Sequence, residues 1–485
     1  ADFLGTWLNP VEFARQYAQT RKLKDGGTQM SRHLQFESFM SMTGANADER
    51  FTHRPSEAGA VASALLAAIA GSAATNVLSD KVKAGITKAA IELTANKGAA
   101  VVVSGSNDVN VQTIVNAINN SIDAYGSVIE WSTSLNFRQG VDKDFTDLID
   151  QMNAGQVGAI MIYGANPSYD YHAADKFNVA LAKVKTKISF NEYLDETTQQ
   201  CNYVIPSHHF LESWGDAEPK SGYTSFIQPT IHPLFKTRAF QTSLLKWSGN
   251  NTDYETYFKN YWETKLGSKT AFDAALQKGL IDPPVDLDTA LAFNNASVEA
   301  AAAAISGTKK GGETELVLYQ KVSIGSGKQG TNPWLQELPD PITKAAWDNY
   351  VMMGMTMAKK VVGVDLIGGS ERHINNYEYY PEKPVVTVTV PGKKAFELPV
   401  LIIPGMDPNT IAIAVGYGRT DKLGIAAGNV GANVYQLSSS DGSSRDYYSP
   451  NVTVANANKT YRVAQSQVHN SYENRSEVVK ETSLA

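Results

Sequence analysis

The sequence has a single cysteine, Cys201, among 485 residues. Iron–sulfur clusters are held by groups of cysteine thiolates, so this chain cannot ligate a cluster by itself. The Cys and His spacings of zinc sites are also missing. His208 and His209 are neighbours in the sequence, and neighbouring side chains point apart on a strand or helix. We therefore expect no metal and no other cofactor in this chain.

The sequence also lacks a basic excess and a long apolar run. It has 43 Lys and Arg against 49 Asp and Glu, a net charge of −6 and a pI near 5.8. Without a basic stripe interleaved with aromatics, nucleic acid is not expected as a partner. The longest apolar run, residues 58–74, contains Ser and Gly and falls short of the roughly 20 residues that span a bilayer. We expect no membrane span here.

Apolar strand patterns and helical patterns alternate in the first half of the chain. Strands are predicted at 99–104, 159–163 and 187–191, and helices at 82–93, 109–122, 145–154 and 173–184. This alternation is typical of an α/β fold with a parallel sheet covered on both faces. We predict a first α/β domain that begins with residues 1–76, a Rossmann-like domain at 77–239, and a mostly helical return to the first domain at 240–312.

The second half changes character after residues 309–312. Segments such as VTVTVPG and ELPVLIIPG are β-rich and are punctuated by Pro, Gly, Asn and Asp. We predict a β-barrel domain with a C-terminal tail at 313–485, able to hold its fold apart from the Rossmann-like body. Residues 332–350, here called the strap, hold two Trp and three Pro. This composition leaves little room for a helix or strand and predicts an extended segment fixed by specific contacts.

Seven stretches, in chain order, resemble the molybdopterin oxidoreductases of the DMSO reductase type. They are SMTGANAD (41–48), AIMIYGANP (159–167), DETTQQCNYVIP (195–206), LESWGDAEPKSG (211–222), the strap (332–350), GYGR (416–419) and GNVGANVY (428–435). The strap and the segment 461–484 most resemble the branch that contains the large iron–sulfur subunit of bacterial alternative complex III. In that branch, segment 461–484 corresponds to the join with a cluster-binding half, so we expect it to run along the fold to a contact face.

The resemblance implies Rossmann-like doubly wound domains followed by a double-psi β-barrel at 313–485. It also implies a non-catalytic scaffold in a membrane-associated respiratory complex, which oxidises quinol and passes electrons to cytochrome c or a terminal oxidase. The expected partners are haem-bearing and integral membrane subunits and a ferredoxin-like domain of the same polypeptide. Iron–sulfur clusters would lie in a missing part of that polypeptide, and the complex would face the periplasm at the inner membrane.

Candidate residues of a vestigial cofactor pocket follow from the same resemblance: Thr43, Gly44, Asn166, Thr197, Arg419 and Asn433. Glycine-rich loops and an Arg suit a nucleotide pyrophosphate, so the pocket could be empty, reshaped or still occupied. The alternative function is therefore a fragment of an active molybdenum bis-pterin oxidoreductase of the polysulfide or tetrathionate reductase type.

Three further patterns have structural explanations that we favour. The junctions at 103–110 and 163–170 contain small residues but do not spell G-x-G-x-x-G. The segment 323–331 is not a P-loop, because Val322 and Gln329 replace the required Gly and Ser or Thr. Carboxylates at 192–196 and 212–218 suggest acid–base chemistry, but caps and loop hydrogen bonds explain them more simply. We predict no catalytic residue.

The purified chain should carry no redox centre, because one thiol cannot hold a cluster. After desalting, its visible spectrum should show no charge-transfer band and its iron content should be far below one per chain. Stoichiometric iron would contradict this expectation.

Overall fold

The computed structural model describes residues 1–23, 29–72, 78–131, 133–282, 293–308, 311–442 and 444–468. The chain divides into two compact units. The first unit contains Ala1–Ala124 and Phe293–Ala485, and the second contains Tyr125–Ala292. The domain limits that we placed at residues 76, 239 and 312 stay predictions.

The N-terminal part of the first unit is mainly helical. Its elements are α1 (Pro10–Thr20), β1 (Leu34–Glu37), α2 (Met42–Ala45), β2 (Glu49–Thr52), a 3₁₀ turn (Pro55–Glu57), α3 (Ala58–Ile69), α4 (Asp80–Ala95) and α5 (Val109–Ser121). Strands β1 and β2 pair in parallel. In α4, Val82, Ile86 and Ala89 recur at helical spacing and are buried. They share one apolar core with α3 and α5.

Residues 99–104 do not form the predicted strand. Val101 and Val103 are exposed, and the backbone of Val102 pairs with a side chain instead of a neighbouring strand. The Asn119 Oδ1 accepts a hydrogen bond from the Val102 N–H at 2.8 Å, and the Asn119 Nδ2 donates to the Val102 carbonyl at 2.8 Å. Since the Asn119 amide satisfies both backbone groups of Val102, this residue needs no strand partner.

The second unit contains a parallel sheet and an antiparallel sheet. Its elements are α6 (Asp142–Asn153), β3 (Ala159–Ile162), α7 (Pro167–Asp170), α8 (Ala174–Lys183), β4 (Thr186–Ser189), β5 (Tyr203–Val204), β6 (Gly215–Lys220), β7 (Tyr223–Ile227), α9 (Phe240–Trp247), α10 (Tyr254–Leu266), α11 (Lys269–Lys278) and β8 (Leu280–Ile281), with 3₁₀ turns at Thr198–Gln200 and Phe210–Glu212. Strands β3, β4 and β5 are parallel and lie in that order. The helix–strand alternation predicted between residues 145 and 191 is confirmed.

The C-terminal part of the first unit is dominated by strands. Its elements are α12 (Asn295–Ser306), β9 (Glu315–Tyr319), α13 (Pro333–Glu337), β10 (Val351–Met353), α14 (Met355–Val362), α15 (Glu371–Tyr379), β11 (Glu382–Thr389), β12 (Phe396–Ile402), β13 (Thr410–Ala414), β14 (Ser439–Ser440), β15 (Arg445–Asp446), β16 (Tyr448–Ser449) and β17 (Thr453–Arg462), with 3₁₀ turns at Asp421–Leu423 and Tyr435–Leu437. Seven strands form a mixed sheet in the order β16-β9-β13-β10-β12-β11-β17. The β-rich character predicted after residue 312 is confirmed.

The strap is held by specific contacts, as predicted, but it is not wholly extended. Helix α13 begins directly after Asn332, whose side chain accepts hydrogen bonds from the N–H groups of Trp334 and Leu335. Proline at the first helical position is compatible with this start, since its missing N–H would lack an intrahelical partner there. The expectation that the strap leaves little room for a helix is therefore wrong at Pro333–Glu337.

A buried ion pair joins the two parts of the first unit. Glu315 on β9 is fully buried and lies 2.8 Å from the Arg54 guanidinium. The Ser56 N–H and Oγ–H donate to the same carboxylate at 2.9 and 2.7 Å. Because these partners lie near the N-terminus, residues from 313 onward belong to the same compact unit as residues 1–124. That they can hold their fold apart from the Rossmann-like body stays a prediction.

Replacing Glu315 by Ala should lower the free energy of unfolding of the first unit by about 3–5 kcal/mol, because Arg54 would keep a poorly solvated, unpaired charge. Urea unfolding monitored by circular dichroism would measure the loss. Glu313→Ala is the matched control, since Glu313 pairs with Lys360 in an exposed ion pair and should change little. Equal effects of the two substitutions would contradict the prediction.

Candidate functional site

Two of the seven stretches, the strap and GNVGANVY, meet at Asn349. Asn349 is fully buried. Its Nδ2 donates to the carbonyls of Ala414 on β13 and Ala432 in the GNVGANVY stretch, at 3.0 and 2.9 Å. Its Oδ1 accepts a hydrogen bond from the Ala432 N–H at 2.9 Å. One side chain therefore fastens the strap, the sheet and a glycine-rich loop to each other.

The preceding residue, Asp348, makes a second set of links. Its Oδ1 accepts a hydrogen bond from the Gly431 N–H at 3.1 Å, and its Oδ2 accepts one from the Tyr461 hydroxyl on β17. Its backbone carbonyl accepts a hydrogen bond from Lys321 Nζ at 3.0 Å. Asp348 and Asn349 together, here called the hub, connect the end of β9, the GNVGANVY loop and the C-terminal strand.

Lys321 is a buried cation beside the hub. Its side chain is 2% exposed, and its Nζ lies 4.4 Å from the ring centre of Tyr350 and 5.0 Å from that of Tyr417. Burial lowers the pKa of Lys321 to about 8, although the charges of Asp340 and Asp348 act to raise it. The two aromatic faces and the Asp348 carbonyl replace part of the hydration that this ammonium has lost.

A cavity of about 30 Å³ borders Lys321 and is also lined by Tyr319, Gln320 and Asp340. A volume of this size accommodates a water molecule or two. Ligand pockets usually measure about 300 Å³ or more. This cavity is therefore not a substrate pocket, even though a lysine with a lowered pKa lies against it.

The C-terminal segment runs along the strap. The Ala346 N–H donates to the Ala464 carbonyl at 2.8 Å, and the Ser466 N–H donates to the Lys344 carbonyl at 2.9 Å. Val463, directly before Ala464, is 1% exposed. The prediction that the tail follows the body of the fold is confirmed up to Ser466. Residues 469–484 of the predicted join lie outside the described part of the chain.

Thr43 and Gly44, two pocket candidates, are in contact with other residues of the same chain. Thr43 is fully buried; its hydroxyl donates to Asp2 Oδ1 at 2.7 Å and accepts from the Leu4 N–H at 3.0 Å. A Cβ on Gly44 would overlap the carboxylate of Glu37. The small residue at 44 therefore makes room for a side chain of the same chain.

Arg419 and Asn433, the candidates in the C-terminal half, lie in two loops that pack on each other. Arg419 is 8% exposed, and its Nη1 donates to the Gly327 carbonyl. Asn433 Oδ1 accepts a hydrogen bond from the Tyr435 N–H at 3.0 Å. A Cβ on Gly418 would overlap the backbone of Asn433. The space at Gly418 that a nucleotide would need is filled by the backbone of the loop that contains Asn433.

Asn166 and Thr197 lie together in the second unit, so the structure places the six candidates in two units. Thr197 is fully buried, and its N–H and hydroxyl donate to Asn166 Oδ1 at 3.1 and 2.7 Å. Asn166 Nδ2 donates to Glu196 Oε2 at 2.7 Å. These polar groups satisfy one another and connect the β3–α7 turn to the start of the following 3₁₀ turn.

The six candidates do not fit a pterin dinucleotide in this arrangement. Such a ligand needs hydrogen-bond donors directed at its phosphates and rings. The donors and acceptors described above point instead at groups of the same chain. No group of three or more His, Cys, Asp or Glu with metal-ligand geometry occurs among the described residues. In the same residues, no helix is both long and apolar enough to cross a bilayer.

The histidines and carboxylates considered for chemistry also have local roles. They are engaged as follows: His208 Nδ1 with Thr237 Oγ1 at 2.8 Å, His209 Nδ1 with the Leu211 N–H at 3.4 Å, Asp195 Oδ1 with the Thr198 N–H at 2.8 Å, and Asp216 Oδ2 with Trp262 Nε1 at 2.8 Å. These contacts match the cap and loop roles that we favoured. His208 Nδ1 also lies 3.8 Å from Glu212 Oε2, but that carboxylate accepts hydrogen bonds from the N–H groups of His209 and Leu234, which is a loop role.

Sequence reasoning missed Lys321 and the hub. A lysine that closes the apolar strand ELVLYQK is the available signal for the first, because lysine is rarely buried without partners. Asp348 and Asn349 follow a Trp near the end of the strap, and nothing in their spacing indicates that they bond to two distant loops. Only the tertiary structure shows that link.

The fold defines a class. The chain has the mixed α/β fold of a molybdopterin-type enzyme, as the resemblance predicted. Acetylene hydratase from Pelobacter acetylenicus is similar, with a TM-score of 0.59 and 11% identity over 89% of this chain and 74% of that one. At this identity the similarity concerns the fold alone.

A curated protein is similar in sequence. The molybdopterin-binding-like subunit of menaquinone reductase from Nitratidesulfovibrio vulgaris is 36% identical over 95 residues. The match covers 19% of this chain and only 14% of that subunit's length. No family model matches the chain. Sequence similarity to that subunit is thus limited to a short segment of both chains.

Lys321→Met should change how stability depends on pH. Because the folded chain holds residue 321 at a pKa near 8, against 10.5 normally, the unfolded chain binds more protons there between these values. The cost of burying the charge is fully present below pH 8 and is relieved as pH rises. Wild type should therefore gain about 2 kcal/mol relative to the variant between pH 8 and 10.

Urea unfolding of both proteins at pH 7 to 10 measures this difference. Lys328→Met, at an exposed position seven residues further along, is the control and should follow the wild-type profile. A difference between wild type and Lys321→Met that stays constant over this range would contradict the prediction.

Proposed function

We propose that this chain is the non-catalytic, molybdopterin-enzyme-like part of a subunit in a membrane-associated respiratory complex of the alternative complex III type. The complex would oxidise quinol and pass electrons to cytochrome c or a terminal oxidase. The chain would hold a cluster-bearing, ferredoxin-like domain of the same polypeptide against haem-bearing and integral membrane subunits. It would lie at the periplasmic face of the inner membrane without entering the bilayer.

The observation that carries this proposal is the state of the six pocket candidates. In the first unit, the Thr43 hydroxyl donates a hydrogen bond to Asp2, and Arg419 donates one to the Gly327 carbonyl. The backbone of Asn433 packs so closely on Gly418 that a Cβ there would overlap it. In the second unit Asn166 and Thr197 bond to each other. The chain keeps the fold, but the polar groups of the candidate pocket are hydrogen-bonded within the chain. Such a fold is suited to hold other domains in place and not to bind a cofactor for catalysis.

The similar curated protein supports the same direction. Its name describes a molybdopterin-binding-like subunit of a quinone-linked enzyme. That combination agrees with a scaffold in a quinone-linked complex. The direction of electron flow and the identity of the acceptor belong to the proposal, since they rest on the resemblance of the strap and of segment 461–484.

The finer architecture belongs to the proposal too. We assign Rossmann-like doubly wound domains and a C-terminal double-psi barrel. Strand β13 lies between β9 and β10, parallel to β9 and antiparallel to β10. The connection from β9 to β10 therefore passes over the position of β13, and β10 runs antiparallel to β9. A psi-type crossing has this connection.

The alternative, a fragment of an active molybdenum oxidoreductase, requires a pocket with donors directed into it. The cavity beside Lys321 measures only about 30 Å³. A larger cavity of about 310 Å³, between α6 and α8, is lined by none of the six candidates, which are bonded to the chain itself. We therefore favour the scaffold.

Metal analysis of the intact native protein tests the proposal. We expect molybdenum and tungsten far below one atom per chain, and quinol-to-cytochrome c electron transfer that is unchanged when cells grow without molybdate and with tungstate. A known molybdenum enzyme from the same cells is the control for depletion. Stoichiometric metal together with molybdenum-dependent turnover would reject the scaffold and favour the alternative.

A further inference from the structure

An apolar surface projects from the second unit at two adjacent segments. Leu234 and Phe235 are 73% and 76% exposed, and Phe210 is 60% exposed. Ile231 and Leu211 are exposed as well. We call these five residues the apolar face. Exposed apolar side chains are ordinary when they are scattered, but a cluster of this kind marks an interaction site.

The apolar face is held in place by hydrogen bonds. The N–H groups of Thr230 and Ile231 both donate to the Leu211 carbonyl, at 2.8 and 3.1 Å. The Leu234 N–H donates to Glu212 Oε1 at 2.9 Å, and the other oxygen of that carboxylate accepts from the His209 N–H at 3.0 Å. The loop 228–238 is thus fastened to the 3₁₀ turn at Phe210–Glu212, so binding would not need to order it first.

The ionisable side chains of loop 228–238 are all basic. His232, Lys236 and Arg238 are exposed in the same loop. No residue in the described part of the chain forms an ion pair with Lys236 or Arg238. Loop residues 228–238 contain no Asp or Glu, and the carboxylate of Glu212 is largely buried at 6% exposure. The face therefore combines an apolar tip with a basic rim.

We propose that the apolar face docks a partner protein whose surface offers an apolar groove edged by carboxylates. This rests on the proposed function, since the partner would be one of the other subunits of the complex. Leu234 and Phe235 would fill the groove, and Lys236 and Arg238 would meet its acidic edge. The basic rim would set the orientation and the rate of association more than the affinity.

A protein partner suits the face better than a lipid surface. Loop 228–238 has no helix or strand, so its backbone N–H and C=O groups have few partners within the loop. Backbone groups of this kind are not satisfied in hydrocarbon, whereas a protein groove can bond to them. The chain also carries a net charge of −6, which opposes approach to an anionic membrane.

The test uses the full-length polypeptide, affinity-tagged and purified from detergent-solubilised membranes of the cells that make it. The face variant is Leu234→Ser with Phe235→Ser. The matched control is Ile91→Ser with Ile425→Ser, two exposed apolar residues of the first unit, 66% and 95% exposed. Haem and integral membrane subunits recovered per tagged chain are measured, together with the melting temperature of each purified chain.

We expect the face variant to lose at least about tenfold of the recovered haem and membrane subunits, with its melting temperature unchanged and the control pair like wild type. Lys236→Glu with Arg238→Glu should weaken recovery at low salt and less at high salt. Wild-type recovery by the face variant overturns the inference and leaves the proposed function intact. No recovery of partners by wild type overturns both.

Two further measurements separate other occupants. Flotation with phosphatidylcholine–phosphatidylglycerol vesicles tests lipid, and light scattering of the purified chain tests a second copy. Vesicle binding by wild type that the face variant loses would overturn the inference in favour of a membrane. A wild-type dimer that the face variant converts to a monomer would overturn it in favour of self-association.

Discussion

The hub formed by Asp348 and Asn349 is the contact on which the first unit depends most. Through side chains and one carbonyl it bonds to Lys321 after β9, to Gly431 and Ala432 in a glycine-rich loop, and to Tyr461 on β17. Asn349 is fully buried, so any of its polar groups left unbonded would cost the full desolvation penalty. The loops can take only the positions in which all of these bonds form together, and that requirement fixes the strap, the sheet and the tail as one body.

Close packing of the chain on itself explains the glycines of the glycine-rich stretches. Gly431 has a φ of +64°, and a Cβ there would lie 2.5 Å from Asn349 Oδ1. Gly418, at +66°, approaches the backbone of Ala432 and Asn433. Both positions require glycine because protein meets protein closely. A glycine pattern that resembles nucleotide-binding loops therefore has a sufficient explanation in packing, and it does not by itself imply that a nucleotide is bound.

Sequence reasoning succeeded where the cause is local and failed where it is distant. Apolar periodicity located α4, α5 and α8 and strands β3 and β4 to within a few residues, because each pattern is written in consecutive positions. It failed at residues 99–104, where the Asn119 side chain takes the place of a strand. It also gave no indication of the partners of Glu315, because Arg54 and Ser56 lie some 260 positions away. The pocket candidates were located by resemblance, but only side-chain geometry reveals that their polar groups are already used.

The interior of the first unit and the exposed face of the second unit differ in how far their polar and apolar groups are already used. Inside the first unit, even a buried ammonium such as Lys321 has a carbonyl and two aromatic rings around it, so little binding capacity is left for a ligand. On the second unit, Leu234, Phe235, Lys236 and Arg238 are held out rigidly in solvent, where their apolar area and charge are unused. An interior whose polar groups are satisfied gains little from a new ligand, whereas a rigid exposed face gains from a partner without first paying to order itself. The physical case for function in this chain is therefore stronger at its surface than in its interior.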